Sequence, residues 1–248
     1  MFVMRLFDTH FHLDLYPDPS ALVTEANQAQ TCVVAVTNTP SVFESTQQLT
    51  AASQFVQPAL GLHPELAVER QLELPLFEHL LPYTRYVGEV GLDFVITDAR
   101  ERAIQQEVFR KIVALCHASG NKILTVHSRR AEKEVVQAIG PTFAGQVILH
   151  WYSGPLSVAR QAVENGLYFS LNPAMVRSKR FVDLLAIIPR ERLLLETDGP
   201  FVQIGSRPAI PKDTAIVIRA LAVLWHMSEE QVAQTLFTNF RQLLTLPA

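Results

Sequence analysis

Short runs of β-branched and other apolar residues recur along the chain, separated by longer stretches in which apolar positions return every three or four residues. The runs fall near residues 3–8, 32–37, 56–61, 85–89, 122–127, 146–150, 167–171 and 192–196. Several are apolar almost throughout, as expected of parallel strands covered on both faces. Between them the spacing predicts a helix from about Asp98 to Ser119, with Ile104, Val108, Ile112 and Leu115 on one face and Gly120 as its stop. A second helix is expected over about 155–164, ending before Gly166. Two more are expected over about 213–226 and 228–245, where Ser228 and Gln231 read as a capping box. Strand alternating with helix implies βαβ units and a parallel sheet. Eight strands favour a closed TIM (β/α)8 barrel over an open doubly wound sheet. With no Pro/Gly/Ser linker, repeat or low-complexity tract, one domain over 1–248 is the expectation.

Length agrees with that expectation, since 248 residues lie close to what such a barrel requires. Hydrophobic residues make up 48% and charged residues 18%, too apolar a balance for a disordered chain. The formal net charge of −3 argues against a protein that holds nucleic acid by bulk electrostatics. It leaves room for a nuclease whose bound cations neutralise phosphate locally. Cys32 and Cys116 stand in apolar surroundings and in no metal-ligand or redox spacing, so both read as packed thiols in a reducing compartment. The opening MFVMRLFDTH has too short an apolar stretch for a signal peptide, and Arg219 interrupts the apolar run AIVIRALAVLW. A soluble, cytoplasmic protein without a membrane partner is therefore expected.

The polar residues are informative because of where they fall. Asp8-Thr9-His10-Phe11-His12 closes the first predicted strand, Glu89 the fourth, His127 the fifth and His150 the sixth, and Asp198 follows the eighth. In a TIM barrel all of these ends point to one face, where active sites are built. On an extended segment residues i and i+2 point the same way, so His10 and His12 can face one ion. Imidazole suits zinc and similar divalent metals, and carboxylates also suit Mg²⁺ or Mn²⁺. Four histidines with two carboxylates could serve one ion or a close pair. In the two-ion version Glu89, from a central strand, is the bridging candidate, while Asp198 binds an ion and orients or deprotonates the attacking water. Each piece alone has a plainer reading: a packed His pair, a strand-end Glu paired with Arg, an Asx turn before Pro200. Five strand ends carrying such residues together shift the balance to a metal site.

In order along nearly the whole chain stand DTHFHLD from Asp8, GLHPE from Gly61, VGEVGLDF from Val87, TVHSRRA from Thr125, ILHWYSG from Ile148, LLLETDGPF from Leu193 and a terminal NF at Asn239–Phe240. With these motifs the chain resembles the TatD-like metal-dependent deoxyribonucleases of the amidohydrolase superfamily. The resemblance implies a TIM barrel binding one to three divalent ions and hydrolysing phosphodiesters. Carried over by position, it makes His10, His12, Glu89, His127, His150 and Asp198 metal ligands and His63 a substrate contact. Where such proteins often have Cys-Phe after the sixth-strand His, this chain has Trp151-Tyr152, two aromatics able to stack on an unpaired base or to pack against the next loop. Phe94 replaces a Tyr that often follows LD, and the segment IGSRPAIP is short, so the mouth is open or completed by a partner.

Arg129, Arg130, Arg177, Lys179, Arg180 and Arg207 lie near the predicted mouth, and Arg129 is the expected phosphate contact. His79, His117 and His226 fall away from the strand ends and read as structural or exposed. The leading expectation is a deoxyribonuclease using two divalent ions, zinc, magnesium or manganese, on single strands or DNA ends. A hydrolase of a small phosphoester, amide or lactone is the enzymatic alternative, less favoured because no Lys stands on the fourth strand. A metal-binding barrel working among protein partners is the alternative from another class.

Overall fold

The computed structural model describes residues 5–245 and shows eight parallel strands in one sheet, ordered β1 to β8 along the chain. They are β1 (Phe7–Phe11), β2 (Cys32–Val36), β3 (Val56–Leu60), β4 (Tyr86–Gly91), β5 (Lys122–His127), β6 (Gly145–Leu149), β7 (Tyr168–Leu171) and β8 (Leu193–Leu195). Helices fill the connections, and the result is a nearly closed single-domain TIM barrel, as the alternating pattern required. No helix among the described residues is long and apolar enough to cross a membrane.

Most strand boundaries agree with the apolar runs to within two residues. β1 is the exception. It begins at Phe7, so its His10 lies inside the strand, while Val3 and Met4 of the expected run lie outside the described residues. The chain starts its pairing late because Phe7 aligns with Cys32, the first residue of β2. The Asp98–Ser119 expectation is met by the helix Ala99–Ser119. Asp98 caps it by accepting from the Arg100 and Glu101 amides, and Gly120 closes it at φ +78°. The Ser228–Gln231 capping box opens Glu229–Leu244, and the other late helix splits into a 3-10 turn at Pro211–Thr214 and the helix Ala215–Trp225. The periodicity left Pro19–Ala29 and Pro40–Thr50 unassigned, although Asp18-Pro19 and Thr39-Pro40 are recognisable helix starts.

The main core joins apolar residues of β1 and β3 to β8 to the surrounding helices, while the buried residues of β2 belong to two smaller clusters beside it. Phe7 at the start of β1 stacks on Phe240 at 4.5 Å between centroids, tying the last helix to the strands. Asn239 of that helix donates to the Arg190 and Leu193 carbonyls at 2.7 and 2.9 Å, which explains the polar half of the terminal NF.

Two irregularities shape the other end. Register between β1 and β2 slips between Asp8 and Phe11, and register between β4 and β5 slips between Val87 and Val90. Such slips re-aim side chains, and these two bracket His10 and Glu89. Gly91, at φ +144°, lets β4 approach β5 here; a Cβ on it would lie 2.0 Å from the His127 carbonyl oxygen.

Candidate metal centre

Glu89 stands at the centre of the strand ends, buried, with its two oxygens facing different partners. Oε2 lies 3.4 Å from His10 Nε2 and 3.2 Å from His12 Nε2. Oε1 lies 2.7 Å from His127 Nδ1, 2.9 Å from His150 Nε2 and 3.4 Å from His63 Nε2. Asp198 completes the first group, with Oδ1 3.7 and 3.5 Å from the His10 and His12 Nε2 atoms. Those two nitrogens are 3.3 Å apart, because Phe11 between them turns the other way. All six residues expected as ligands therefore meet in one cluster, and His63 joins it.

The imidazoles are held from behind. His10 Nδ1 pairs with Thr125 Oγ1 at 2.7 Å, and His127 Nε2 pairs with Asp93 Oδ2 at 2.8 Å. The His10 and His150 rings stack at 3.9 Å with 9° between planes. Asp198 takes φ +51°, a backbone region that aspartate tolerates better than most residues.

Electrostatics follow from packing opposite charges in a dry space. Burial alone would raise the Glu89 carboxyl, but His63, His150 and His10 around it outweigh burial and hold it well below the usual range. Burial likewise would lower His12, yet the Asp198 and Glu89 carboxylates push it up to about 9. His127 and His150 are raised against burial by Asp93 and Glu89, and by Glu89 and Glu196, respectively. His10 is lowered, by burial first and by His150 second. The carboxylates thus favour positive charge on His12, His127 and His150, the sign a bound cation would supply.

The donor set fits a divalent ion. A tetrahedral ion with ligand bonds of about 2.1 Å has donor–donor edges of about 3.4 Å. Five of the six edges among His10 Nε2, His12 Nε2, Glu89 Oε2 and Asp198 Oδ1 span 3.2 to 3.7 Å. Asp198 Oδ1 is buried without a hydrogen-bond donor, a cost that a cation removes.

A cavity of about 460 Å³ opens over the cluster, its outer walls formed by Glu65, Ser128, Arg129, Trp151, Ser153 and Phe201. Arg129 and Trp151 are thus placed where the sequence expected substrate contacts. Tyr152 is not. Its side chain is buried, its hydroxyl donates to the Pro155 carbonyl at 2.7 Å, and its ring packs edge-on against Phe169, so the substrate role expected for it is corrected to a core role. Arg207 is engaged by Asp213 through two contacts of 2.7 Å, which removes it from the expected set of free mouth cations. His79, His117 and His226 are exposed and away from the cluster. Residue reasoning missed Asp93 and Phe201. Both stand inside quoted motifs, LDF and DGPF, but neither has a spacing that marks it; Phe201 is 59% exposed and sets its ring edge-on to His12 at 5.0 Å.

A TIM barrel with a buried imidazole–carboxylate cluster at the carboxyl ends of its strands belongs to the metal-dependent hydrolases. The particular family is fixed by comparison: the chain belongs to the TatD family, whose model, described as TatD related DNase, matches residues 7–245. It is similar to mouse TATDN3, at 35% identity over 216 residues, covering 79% of this chain and 73% of that protein. Human deoxyribonuclease TATDN3 is 29% identical over 268 residues, covering 96% and 97%. YjjV of Escherichia coli K12, described as an uncharacterized metal-dependent hydrolase, is 28% identical over 264 residues, covering 99% and 100%. The crystal structure of YjjV superposes with a TM-score of 0.84 at 26% identity, over 99% of this chain and 100% of that one.

Proposed function

We propose that this TatD-family hydrolase cleaves phosphodiester bonds in DNA, single strands or ends in preference, with two divalent ions shared across Glu89. The observation that carries the reading is the position of that carboxylate, with Oε2 facing the His10 and His12 nitrogens that Asp198 also approaches and Oε1 facing those of His63, His127 and His150. His10, His12, Asp198 and Glu89 Oε2 would hold one ion; Glu89 Oε1, His127, His150 and His63 would surround the other. Bound there, zinc, magnesium or manganese supplies Lewis acidity toward water and positive charge against the anionic transition state.

The chain's own groups do the rest. Asp198, through the carboxylate oxygen not turned to the ion, orients the attacking water and accepts its proton. Arg129, exposed at the cavity wall, meets a phosphate oxygen pair. Trp151 offers an aromatic face to an unpaired base. The deoxyribonuclease name of human TATDN3 and the description of the family model support DNA over a small phosphoester, amide or lactone.

The test is cleavage of single- and double-stranded DNA by metal-free and metal-reloaded protein beside Asp198→Ala. Metal-dependent cleavage that the variant lacks is the expected result. A folded, metal-loaded wild type that leaves DNA intact but turns over a small phosphoester or amide reporter would replace DNA as the substrate.

A further inference from the structure

Two buried carboxylates stand directly behind the cluster and have no assigned part in it. Asp8 spends both oxygens on the chain: Oδ1 accepts from the His10 and Thr197 amides at 3.1 and 3.0 Å, and Oδ2 accepts from the Thr197 hydroxyl. Glu196 does the same: Oε1 accepts from the Trp151 amide at 3.0 Å and Asn172 Nδ2 at 2.9 Å, and Oε2 accepts from the Ser170 hydroxyl. Every oxygen of both is engaged by the chain, although Glu196 also stands close enough to His10 and His150 that the three could form a metal-holding group.

Their positions are complementary. Among the described residues no strand ladder joins β8 back to β1; the barrel seam is closed by isolated contacts. Thr9 Oγ1 donates to the Leu195 carbonyl, the Asp198 amide to the His10 carbonyl, and the His12 amide to the Gly199 carbonyl, each at 3.0 Å. Asp8 lies across the same seam, so it sets the spacing between His10 and His12 on one side and Asp198 on the other. Glu196 joins the ends of β6, β7 and β8, and its Oε2 lies 3.7 Å from His150 Nδ1 while His150 Nε2 faces Glu89. At that distance Glu196 does not hydrogen-bond the ring; it holds the backbone beside His150 through the Trp151 amide and sets its charge behind the imidazole, an outer contact of the kind that orients a ligating residue.

We propose that Asp8 and Glu196 are positioning residues, each serving one half of the cluster: Asp8 the His10–His12–Asp198 half, Glu196 the His127–His150 half. The inference rests on the two-ion reading above. General supports of the fold would weaken both halves together; dedicated ones weaken one.

Stepwise Zn²⁺ affinity of the metal-free protein, measured against a competing chelator, separates these. His12→Ala and His127→Ala first assign each binding step to a half. Asp8→Ala is expected to weaken the His12 step by about 10- to 100-fold and leave the His127 step unchanged; Glu196→Ala is expected to do the reverse. Asp8→Asn, which keeps the oxygen that accepts both amides, restores most of the affinity. Thr197→Val, with Asp8 intact, weakens the same step less and serves if Asp8→Ala does not fold. Equal weakening of both steps, tracking a fall in the Tm of the metal-free variants, would overturn the assignment, as would no change at either. A wild type that binds fewer than two ions overturns the two-ion reading itself, and this inference with it.

Discussion

The two ends of the barrel bury polar side chains on opposite terms. At the amino ends of the strands, Lys122 is buried with its ammonium donating to the Leu81 and Thr84 carbonyls at 2.8 and 2.6 Å. Asn239 is satisfied there in the same manner, and among the described residues only Arg85 Nε lacks a partner at that end. At the carboxyl ends, His12 Nδ1, His150 Nδ1 and Asp198 Oδ1 are buried without one, beside like groups in contact. A satisfied polar group stabilises its surroundings, whereas a crowded, unsatisfied one destabilises them unless something else binds. The first end is arranged for stability. The second holds charge in reserve for a ligand.

Changing one residue at each end should separate these roles. Asp198→Ala or His12→Ala is expected to lower metal-dependent hydrolysis by at least about 100-fold, as removal of a group stabilising developing charge does elsewhere. Urea denaturation of the metal-free variants should show little loss above about pH 9, where His12 no longer carries the proton that stabilises the fold. Lys122→Met should behave in the opposite sense. Two carbonyls lose a charged donor, so stability should fall by about 2–3 kcal/mol, with Zn²⁺ affinity unchanged in chelator competition.

A pH titration of the metal-free protein sharpens the comparison. His12 is raised to about 9 in the folded chain, against roughly 6.5 for an unperturbed imidazole. Its proton therefore contributes stability that is complete below pH 6.5 and lost as pH rises toward 9. Metal affinity should move the other way through that window, because an ion displaces the same proton. Metal-free Tm should fall and Zn²⁺ affinity rise between those limits; parallel trends would contradict the assignment. The smallest effect is expected for Tyr152→Phe, which removes one hydrogen bond behind the cavity. It should cost about 1 kcal/mol of stability and leave the KM for DNA unchanged, whereas a raised KM would return Tyr152 to the substrate surface.

Much of this arrangement is legible before any coordinate is known. Continuous apolar runs mark strands because a strand covered on both faces has no polar side to alternate with. Given parallel strands, a His or acid at the end of each run has only one face to occupy. Boundaries were weaker where pairing decides them. β1 starts at Phe7 because β2 offers its first partner at Cys32, and nothing in the run 3–8 carries that information. Tyr152 and Arg207 illustrate a different loss. Tyr152 stands only one residue beyond Trp151, but the chain turns at Trp151, at φ +38°, and sends the next ring into the core.

The sequence by itself determined the barrel, the single domain, the face on which chemistry occurs and the residue types gathered there. These depend on periodicity and local chemistry, which neighbouring positions express. Only the tertiary structure decided that Glu89 offers one oxygen to each half of the cluster, that Asp8 and Glu196 stand behind it, and that Arg207 is already paired. Each of those depends on distances between residues far apart in the chain. Such distances are fixed by strand register and by the slips beside His10 and Glu89, which are properties of two strands together and written in neither alone.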